Sequence, residues 1–319
     1  MNETPHSWLA LPLMLALVPL GVWLLATVDH LAHATTARRA LGGTFVAPVR
    51  SALRLLFKEF RSTERPDLAL WLAAPLLLLT LVFAALAVMP LAPGLIGADL
   101  SIGVVFFTAM FALVMVAAFA AGWGPNSKYP LAAGYRFIGL MLAYEMPFAI
   151  TIIAVALPAE SLALSEIALW QERVIWNVLL QPVGFLIYLV SALAVAFSGP
   201  FDLVNSSDLA GGAELEMGGA PLLVWRFAHY ALLLATSAFA VPLFLGGGAG
   251  PVLPDLAWTV VKVLALASTL VLVGHASVRL RLEWFMRVAW VFLIPLSLLN
   301  LFLVGLLMLL FPAFFEGAA

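Results

Sequence analysis

Apolar runs of about 20 residues recur along this 319-residue sequence, and each is long enough to cross the hydrocarbon core of a bilayer as a helix. Charged residues make up only 10% of the chain, against about a quarter in a soluble domain. Because the runs are continuous and do not alternate between apolar and polar residues, they favour helices over strands. The sequence therefore predicts an all-α integral membrane protein, a single domain over 1–319, with eight transmembrane helices at about 8–28, 67–89, 101–122, 132–157, 174–197, 221–246, 256–278 and 286–311.

Basic residues concentrate in alternate loops of this predicted topology. Because Lys and Arg are enriched on the cytoplasmic side of membrane proteins, loops one, three, five and seven are predicted to be cytoplasmic. Both termini are then periplasmic, in a bacterial inner membrane. Loop five, residues 198–220, is an exception, since it carries four acids and no Lys or Arg. The basic residues that set this orientation are Arg38, Arg39, Arg50, Arg54, Lys58, Arg61, Arg65, Lys128, Arg279, Arg281 and Arg287.

The first loop contains an amphipathic stretch, FVAPVRSALRLLFKEF, at residues 45–60. Val49 and Leu53 recur at helical spacing, while Arg50 and Arg54 fall on another face. This pattern predicts an interfacial helix that lies along the cytoplasmic surface of the membrane. Contact with anionic lipid accounts for its basic face, and docking of a partner protein is the alternative.

Several ionisable side chains lie inside the predicted spans, where each costs about 2.5–3.5 kcal/mol to insert. The long side chain of Arg136 can extend to the membrane surface, whereas Glu145 lies deeper and is the strongest candidate for a proton-transfer group. For Arg226, His229, Lys262 and His275 the alternative is anchoring or a hydrogen bond between helices. A set spread over several helices indicates a proton path or a polar cavity; its members are Arg136, Glu145, Arg226, His229, Lys262 and His275.

Several kinds of chemistry have no residues to support them. The chain has no cysteine, so it forms no disulfide and no thiolate holds an iron–sulfur cluster within it. His30 and His33 fall in the predicted first loop without acidic or thiolate company, so no metal site is predicted. No nucleotide-binding fingerprint or hydrolase motif occurs, and no nucleic-acid partner is predicted. Any electron transfer must therefore be carried out by partner proteins.

A set of short motifs resembles one protein family. GWGPNSKYPLAAGYR at 122–136 and AYEMP at 143–147 are similar to the GWAS-x-SKY…G-x-R…SYE stretch of the H-type membrane subunit of proton-pumping NADH–quinone oxidoreductase, the respiratory complex I. Other motifs follow in the family's order, and the chain is identified as a divergent member of this family, which is also called NADH dehydrogenase subunit 1. They are FKE (57–59), GPFDL (199–203), PLFLGG (242–247) and RLRLEWFMRVAW (279–290).

The resemblance implies a membrane-arm subunit of a proton-translocating oxidoreductase, not catalytic alone, that helps form the quinone site and couples quinone reduction to proton movement. Quinone would be shared with partner subunits, and no cofactor would be bound covalently. The partners would be peripheral iron–sulfur and quinone-site subunits, small membrane subunits, antiporter-like subunits and lipid. Matched by motif, the proton pathway would include Glu145, His229, Lys262, Asp208 and Glu216, and the quinone chamber or arm interface would include Lys128, Arg136, Tyr144, Asp202, Arg279, Arg281 and Glu283.

The sequence also departs from the family at charged positions. Family acids correspond to Leu113, Val195 and His229, and a family arginine corresponds to Ser198. An imidazole can still relay protons near neutral pH, but leucine and valine cannot. These losses leave two alternatives open. One is the related membrane subunit of a group 4 nickel–iron hydrogenase or formate hydrogenlyase complex, and the other is a structural anchor or ion pathway without redox partners.

Overall fold

The computed structural model describes residues 7–36, 43–59 and 63–316 of the chain. Most of these residues are helical, as the continuous apolar runs predict. The α-helices are α1 (Ser7–Thr36), α2 (Ala47–Leu56), α3 (Leu68–Ala87), α4 (Gly103–Trp123), α5 (Lys128–Ala156), α6 (Leu164–Arg173), α7 (Asn177–Leu180), α8 (Pro182–Val195), α9 (Gly219–Phe244), α10 (Asp255–Ala276), α11 (Leu282–Val288), α12 (Ile294–Leu310) and α13 (Pro312–Glu316).

Seven helical segments among the described residues are long and apolar enough to cross a membrane. Six of them are α1, α3, α4, α5, α9 and α10. The seventh is the continuous segment Leu282–Leu310, which joins α11 to α12 through a π-helical stretch, Ala289–Leu293. The prediction of a helical, multi-pass membrane protein is confirmed at this level.

The predicted fifth span, 174–197, is not one continuous helix. Gln181 has non-helical dihedral angles (φ −138°, ψ 66°) that separate α7 from α8, and the break precedes Pro182, which has no backbone N–H to continue the helix. Buried polar contacts hold the break: the Gln181 side chain donates to the Ala154 carbonyl (3.3 Å) and accepts from Asn300 (3.0 Å). The remaining helix, α8, has 14 residues.

Two further differences from the prediction concern the helix α1 and the connections. α1 continues to Thr36, about two turns beyond the predicted end at residue 28, and these added turns carry polar residues. Two elements were not predicted. The amphipathic helix α6 lies between α5 and α7, and a small antiparallel hairpin in the connection between α3 and α4 pairs β1 (Pro90–Ala92) with β2 (Leu95–Ile96).

The helix α2 lies inside the predicted amphipathic stretch and packs against α1 and α9. None of its residues is buried. Trp23 of α1 donates from its ring nitrogen to the carbonyl of Phe45, just before α2. α2 therefore lies on the outside of the bundle. Residue 60 and the basic residues Arg38, Arg39 and Arg61 lie outside the described part of the chain.

Alternate connections meet at one end of the bundle, which we call the site end. The backbone N–H of Asp67 donates to the Gly124 carbonyl (2.8 Å), which joins loops one and three. Loops five and seven are joined by a hydrogen bond from Leu280 to the Pro200 carbonyl (3.1 Å). At the opposite end, Ser165 donates to Asp99 (2.9 Å) between loops four and two.

The centre of the bundle is the helix α9, most of whose residues are buried. Phe239 of α9 stacks on Phe107 of α4 with ring centroids 4.1 Å apart, and Phe111 packs edge-on against it. In contrast, the segment Leu282–Leu310 is mostly exposed. Its apolar surface faces the lipid or neighbouring proteins.

Candidate functional site

A cavity of about 800 Å³ opens at the site end between α1, α2, α9, α10 and loop five. Its walls along α1 and α2 are largely apolar, as at Val22 and Leu53. Polar side chains lie toward loop five and the polar turns of α1, α9 and α10. Such a mixture of apolar walls and a few convergent polar groups is typical of a small-molecule site. The polar lining residues include Asp29, His30, His33, Ser198, Asp202, Asn205, Glu214, Arg226, His229, Tyr230 and His275.

A close contact between two glycines brings loop five against α10 beside this cavity. A Cβ atom on Gly199 would lie 2.9 Å from the carbonyl oxygen of Gly274, and one on Gly274 would lie 2.9 Å from the oxygen of Gly199. Larger residues at either position would therefore push the two segments apart. This contact places His275 on the cavity wall next to α1.

Asp29 is the centre of a polar cluster on that wall. Its Oδ1 lies 2.8 Å from Nε2 of His275, and its Oδ2 accepts a hydrogen bond from the hydroxyl of Tyr230 at 2.8 Å. The ring of His33, one turn after Asp29 on α1, meets the ring of His275 edge-on with centroids 4.3 Å apart. The cluster joins α1, α9 and α10 across one side of the cavity.

The placement of His30 and His33 corrects the sequence interpretation. Both lie in the helix α1, so the prediction of a loop was wrong. His33 also has a neighbouring carboxylate, because Asp29 precedes it by one helical turn. The ligand atoms of Asp29, His33 and His275 all lie within 4.8 Å of one another. The spacing of Asp29 and His33 was a usable signal, but the hydropathy boundary at residue 28 hid it.

Two departures from the family pattern contact each other. Ser198 Oγ lies 3.2 Å from Nε2 of His229, and the resemblance implies an arginine and a glutamate at these two positions. The imidazole also stacks on Phe197 with ring centroids 4.6 Å apart. Val195 is fully buried among apolar residues, whereas Leu113 is 44% exposed on the outside of α4.

Arginines from three neighbouring helices or connections neutralise the acidic loop five. Arg226 of α9 donates twice to Glu214 Oε2, at 2.9 and 2.7 Å, and Asn205 donates to the other oxygen at 3.1 Å. Arg279 makes two parallel hydrogen bonds with Asp202, of which the Nε–Oδ1 bond is 2.6 Å. This fork geometry is the stronger kind of charge-assisted contact. Three of the four acids that the topology prediction left unexplained, Asp202, Asp208 and Glu214, therefore have cationic partners from outside their own loop.

Asp208 occupies the outer part of the same loop. It accepts from Arg136 at 2.6 Å and lies 3.9 Å from Arg279. Hydrogen bonds from Ser206 and Arg136 lower the pKa of the Asp208 carboxyl below its ordinary value. The fork with Asp202 raises the pKa of Arg279. The charged groups are thus held in their ionised forms.

The remaining arm-interface candidates lie around this loop but are less closely tied to it. Glu216 accepts a hydrogen bond from Ser127 at 3.1 Å, directly before the start of α5. Lys128 follows, with its ammonium 5.1 Å from the ring centroid of Tyr129. Arg281 and Glu283 are exposed at the start of α11. These residues form a charged surface at the site end and do not line the cavity.

Glu145 and Tyr144 lie in α5, away from the cavity lining. Among the described residues, Glu145 has no hydrogen bond or ion pair with another side chain, and it is partly exposed. The hydroxyl of Tyr144 is buried and also has no protein partner in the described part of the chain. Buried polar groups are ordinarily hydrogen-bonded to protein or water. The structure therefore does not bring Glu145 together with His229 by a direct contact.

Lys262 lies at the opposite end of the bundle. Its ammonium donates to the carbonyls of Leu245, Gly247 and Ala249 at 2.7, 2.8 and 2.7 Å, and it lies 4.6 Å from the ring centroid of Trp176. An ammonium has three N–H donors, and all of them are used here. This arrangement closes the C-terminal end of α9 and is sufficient to account for a lysine inside α10.

Comparisons with known proteins agree with this architecture. The sequence model of the family described as NADH dehydrogenase matches residues 9–305. The H-type subunit of NADH-quinone oxidoreductase from Dehalococcoides mccartyi (strain CBDB1) is 34% identical over 266 residues, 83% of this chain and 75% of the relative. The H-type subunit numbered 2 in Cereibacter sphaeroides (strain ATCC 17029 / ATH 2.4.9) is 35% identical over 258 residues, 81% of both chains.

A third relative covers more of the chain. The H-type subunit of the same oxidoreductase from Geobacillus kaustophilus (strain HTA426) is 33% identical over 303 residues, 92% of this chain and 90% of the relative. The family model extends across the helices that enclose the cavity, from α1 to α10. On this evidence the chain belongs to the NADH dehydrogenase family.

Proposed function

We propose that this chain is a membrane-arm subunit of a complex I-type NADH–quinone oxidoreductase, in which it helps form the quinone site and couples quinone reduction to proton movement. The cavity between α2 and the bundle carries the proposal, because it combines apolar walls along α1 and α2 with polar side chains toward loop five. The names of the relatives support the complex, since each is a subunit of an NADH-quinone oxidoreductase.

The proposed topology has eight crossings with the site end in the cytoplasm of a bacterial cell. The broken segment α7–α8 would be the additional crossing, since it connects loop four at the opposite end to loop five at the site end. The basic face of α2 favours the cytoplasmic side. Phe315 stacks near Trp170 of α6, so the described C-terminal end lies at the opposite end and would be periplasmic.

The lining residues fit a quinone. An isoprenoid tail is apolar and suits the α1 and α2 walls, while Arg226 and His229 offer hydrogen-bond donors for carbonyl oxygens. Quinone, when bound, supplies a two-electron, two-proton acceptor. The contribution of this chain is to bind and orient it, to exclude water along α2, and to hold a proton on the imidazole of His229.

Proton movement within the membrane is assigned to Glu145, with Tyr144 beside it. An ionisable group without a partner inside a span is costly, and such groups usually mark ion or proton pathways. The route from the cavity to Glu145 must include water, because the two are not in contact. Asp208 and Glu216 would act at the cytoplasmic surface, where their partners hold them. Lys262 is left outside the route, since its three donors bind backbone carbonyls.

The charged site end is the proposed docking surface for the peripheral iron–sulfur and quinone-site subunits. Lys128, Arg281 and Glu283 are exposed there, next to the loop that Arg136 and Arg279 hold in place. Small membrane subunits and antiporter-like subunits would pack against the exposed apolar surface of Leu282–Leu310. Both surfaces are uncovered in the isolated chain.

Purification through a tag on this chain tests the proposal. Iron–sulfur subunits are expected to co-purify, and the complex is expected to reduce a soluble quinone. Ala52→Trp, which fills the cavity beside α2, should raise the KM for quinone at least about tenfold, and Val116→Trp on the exposed outer face of α4 is the matched control. Isolation of the chain without redox subunits would contradict the proposal and would support the structural anchor.

The absence of acids at Leu113 and Val195 is compatible with a second candidate, a membrane subunit of a hydrogenase-type complex that uses no quinone. Metal analysis of the same purified complex separates the two. Stoichiometric nickel together with no quinone reduction would support the hydrogenase, whereas quinone reduction without nickel supports the oxidoreductase.

A further inference from the structure

Asp29, His33 and His275 form a group of metal-ligand side chains at the cavity wall. Asp29 and His33 are four residues apart on α1, so they project from the same face of the helix. His275 comes from the last turns of α10 and lies 2.8 Å from Asp29. The ligand atoms of all three lie within 4.8 Å of one another.

This ligand set suits a divalent transition ion. Two imidazoles and one carboxylate bind Zn²⁺ with bonds of about 2.0–2.2 Å, which places the ligand atoms about 3.3 Å apart in a tetrahedron. The observed separations bracket that value, so side-chain rotations suffice to form the site. Imidazole ligands also disfavour Mg²⁺ and Ca²⁺, which prefer oxygen.

Neighbouring groups prepare the cluster for this geometry. The hydroxyl of Tyr230 donates to Asp29 Oδ2 at 2.8 Å and so orients Oδ1 toward His275. Carboxylate ligands of metal sites are commonly held by such a second hydrogen bond. The close contact of Gly199 with Gly274 fixes the backbone that precedes His275. His33 is exposed, so an ion can reach the cluster from solvent.

We infer that Asp29, His33 and His275 bind one zinc-type divalent ion at the wall of the cavity, with Tyr230 as a positioning residue. Three protein ligands leave a fourth coordination position for water or another ligand. A bound ion would link α1 to α10 and narrow the cavity on that side. The proposal concerns metal binding and stands independently of the quinone function.

Zinc titration of the purified complex, first treated with a chelator, tests the inference. Zinc per complex is measured by elemental analysis after dialysis, and affinity by calorimetry. The zinc content of the His33→Ala complex is subtracted from that of the unmodified complex. Zinc bound to partner subunits is the same in both and cancels. One equivalent of zinc should be lost, or its affinity should fall at least about tenfold, as losses at metal-site residues typically do.

Matched variants separate the metal site from a simple hydrogen-bonded pair. His30 lines the same cavity but lies outside the cluster, so the His30→Ala complex should keep the full zinc equivalent. Tyr230→Phe should weaken binding about 10–100-fold without removing a ligand. Cobalt(II) in place of zinc should give the visible absorption of a tetrahedral site, lost in His33→Ala. Zinc binding that is equal in the unmodified complex and in His33→Ala would overturn the inference.

Discussion

The fork between Asp202 and Arg279 is expected to be the main electrostatic contact that holds loop five in place. Asp202→Asn removes the charge and one acceptor while keeping the shape of the side chain. Asp208→Asn is the matched control, because Asp208 lies in the same loop and also contacts Arg279, at 3.9 Å. The two variants differ in the geometry and exposure of the pair that each breaks.

The structure sets the expected magnitudes. Asp202 and Arg279 are 31% and 35% exposed, so water replaces part of the lost contact. A hydrogen bond to a charged group contributes about 1.5–3 kcal/mol, and screening reduces this to roughly 1–2 kcal/mol here. Asp208 is 53% exposed and makes a single short contact with Arg136. An exposed pair of that kind contributes about 0.2–1 kcal/mol.

Hydrogen–deuterium exchange of the purified complex measures both effects as local opening of residues 199–218. A loss of 1–2 kcal/mol corresponds to exchange that is roughly 5–30-fold faster in Asp202→Asn. Asp208→Asn should change it by less than about fivefold, and peptides from α3 should be unchanged in both. Equal acceleration by the two variants, or none by Asp202→Asn, would refute the ranking drawn from the fork geometry.

Three further outcomes are expected. Glu145→Gln should leave assembly intact and stop proton transport by the reconstituted complex. Transport is measured with a pH-sensitive dye in vesicles, and full pumping by this variant would remove Glu145 from the pathway. His229→Glu alone adds a carboxylate near other acids. Without a partner this carboxylate should cost about 3–5 kcal/mol of stability, which lowers the yield of complex on native gels. Adding Ser198→Arg should restore that yield, and a double variant with no better yield than the single variant would contradict the pairing. The pKa of Asp208 is lowered in the folded state. Its stabilising contribution is therefore present above the ordinary carboxyl pKa of about 3.9 and should be lost as the pH falls through the lowered value. Hydrogen–deuterium exchange should show this loss as faster exchange of loop five, which is absent in Asp208→Asn.

The membrane-spanning helices were predictable because hydropathy reports directly on the environment of a helix. The break at Gln181 was not, since it depends on a hydrogen bond from Asn300, a residue 119 positions later. The extension of α1 was missed for a related reason. Asp29, His30 and His33 end the apolar run, yet they stay helical because they line a polar cavity and not lipid.

The candidate site was only partly predictable for the same physical reason. Motifs identified Asp202 and Arg279, and the structure pairs them. Spacing along the chain did not reveal that Ser198 faces His229, or that Asp29 meets Tyr230 and His275, because each contact joins different helices or loops. The acids of loop five departed from the charge pattern expected of a cytoplasmic loop. Their arginine partners lie on neighbouring segments, so the sequence of the loop alone did not reveal them.

Photolabelling with a light-activated quinone analogue tests most directly the claim that the cavity binds quinone. The purified complex is labelled, digested and mapped by mass spectrometry, with excess unmodified quinone as competitor. Labels are expected on peptides from 48–56, 197–202 and 226–233, which line the cavity, and Ala52→Trp should remove them. Labelling of other segments only, in a complex that still reduces the analogue, would contradict the account.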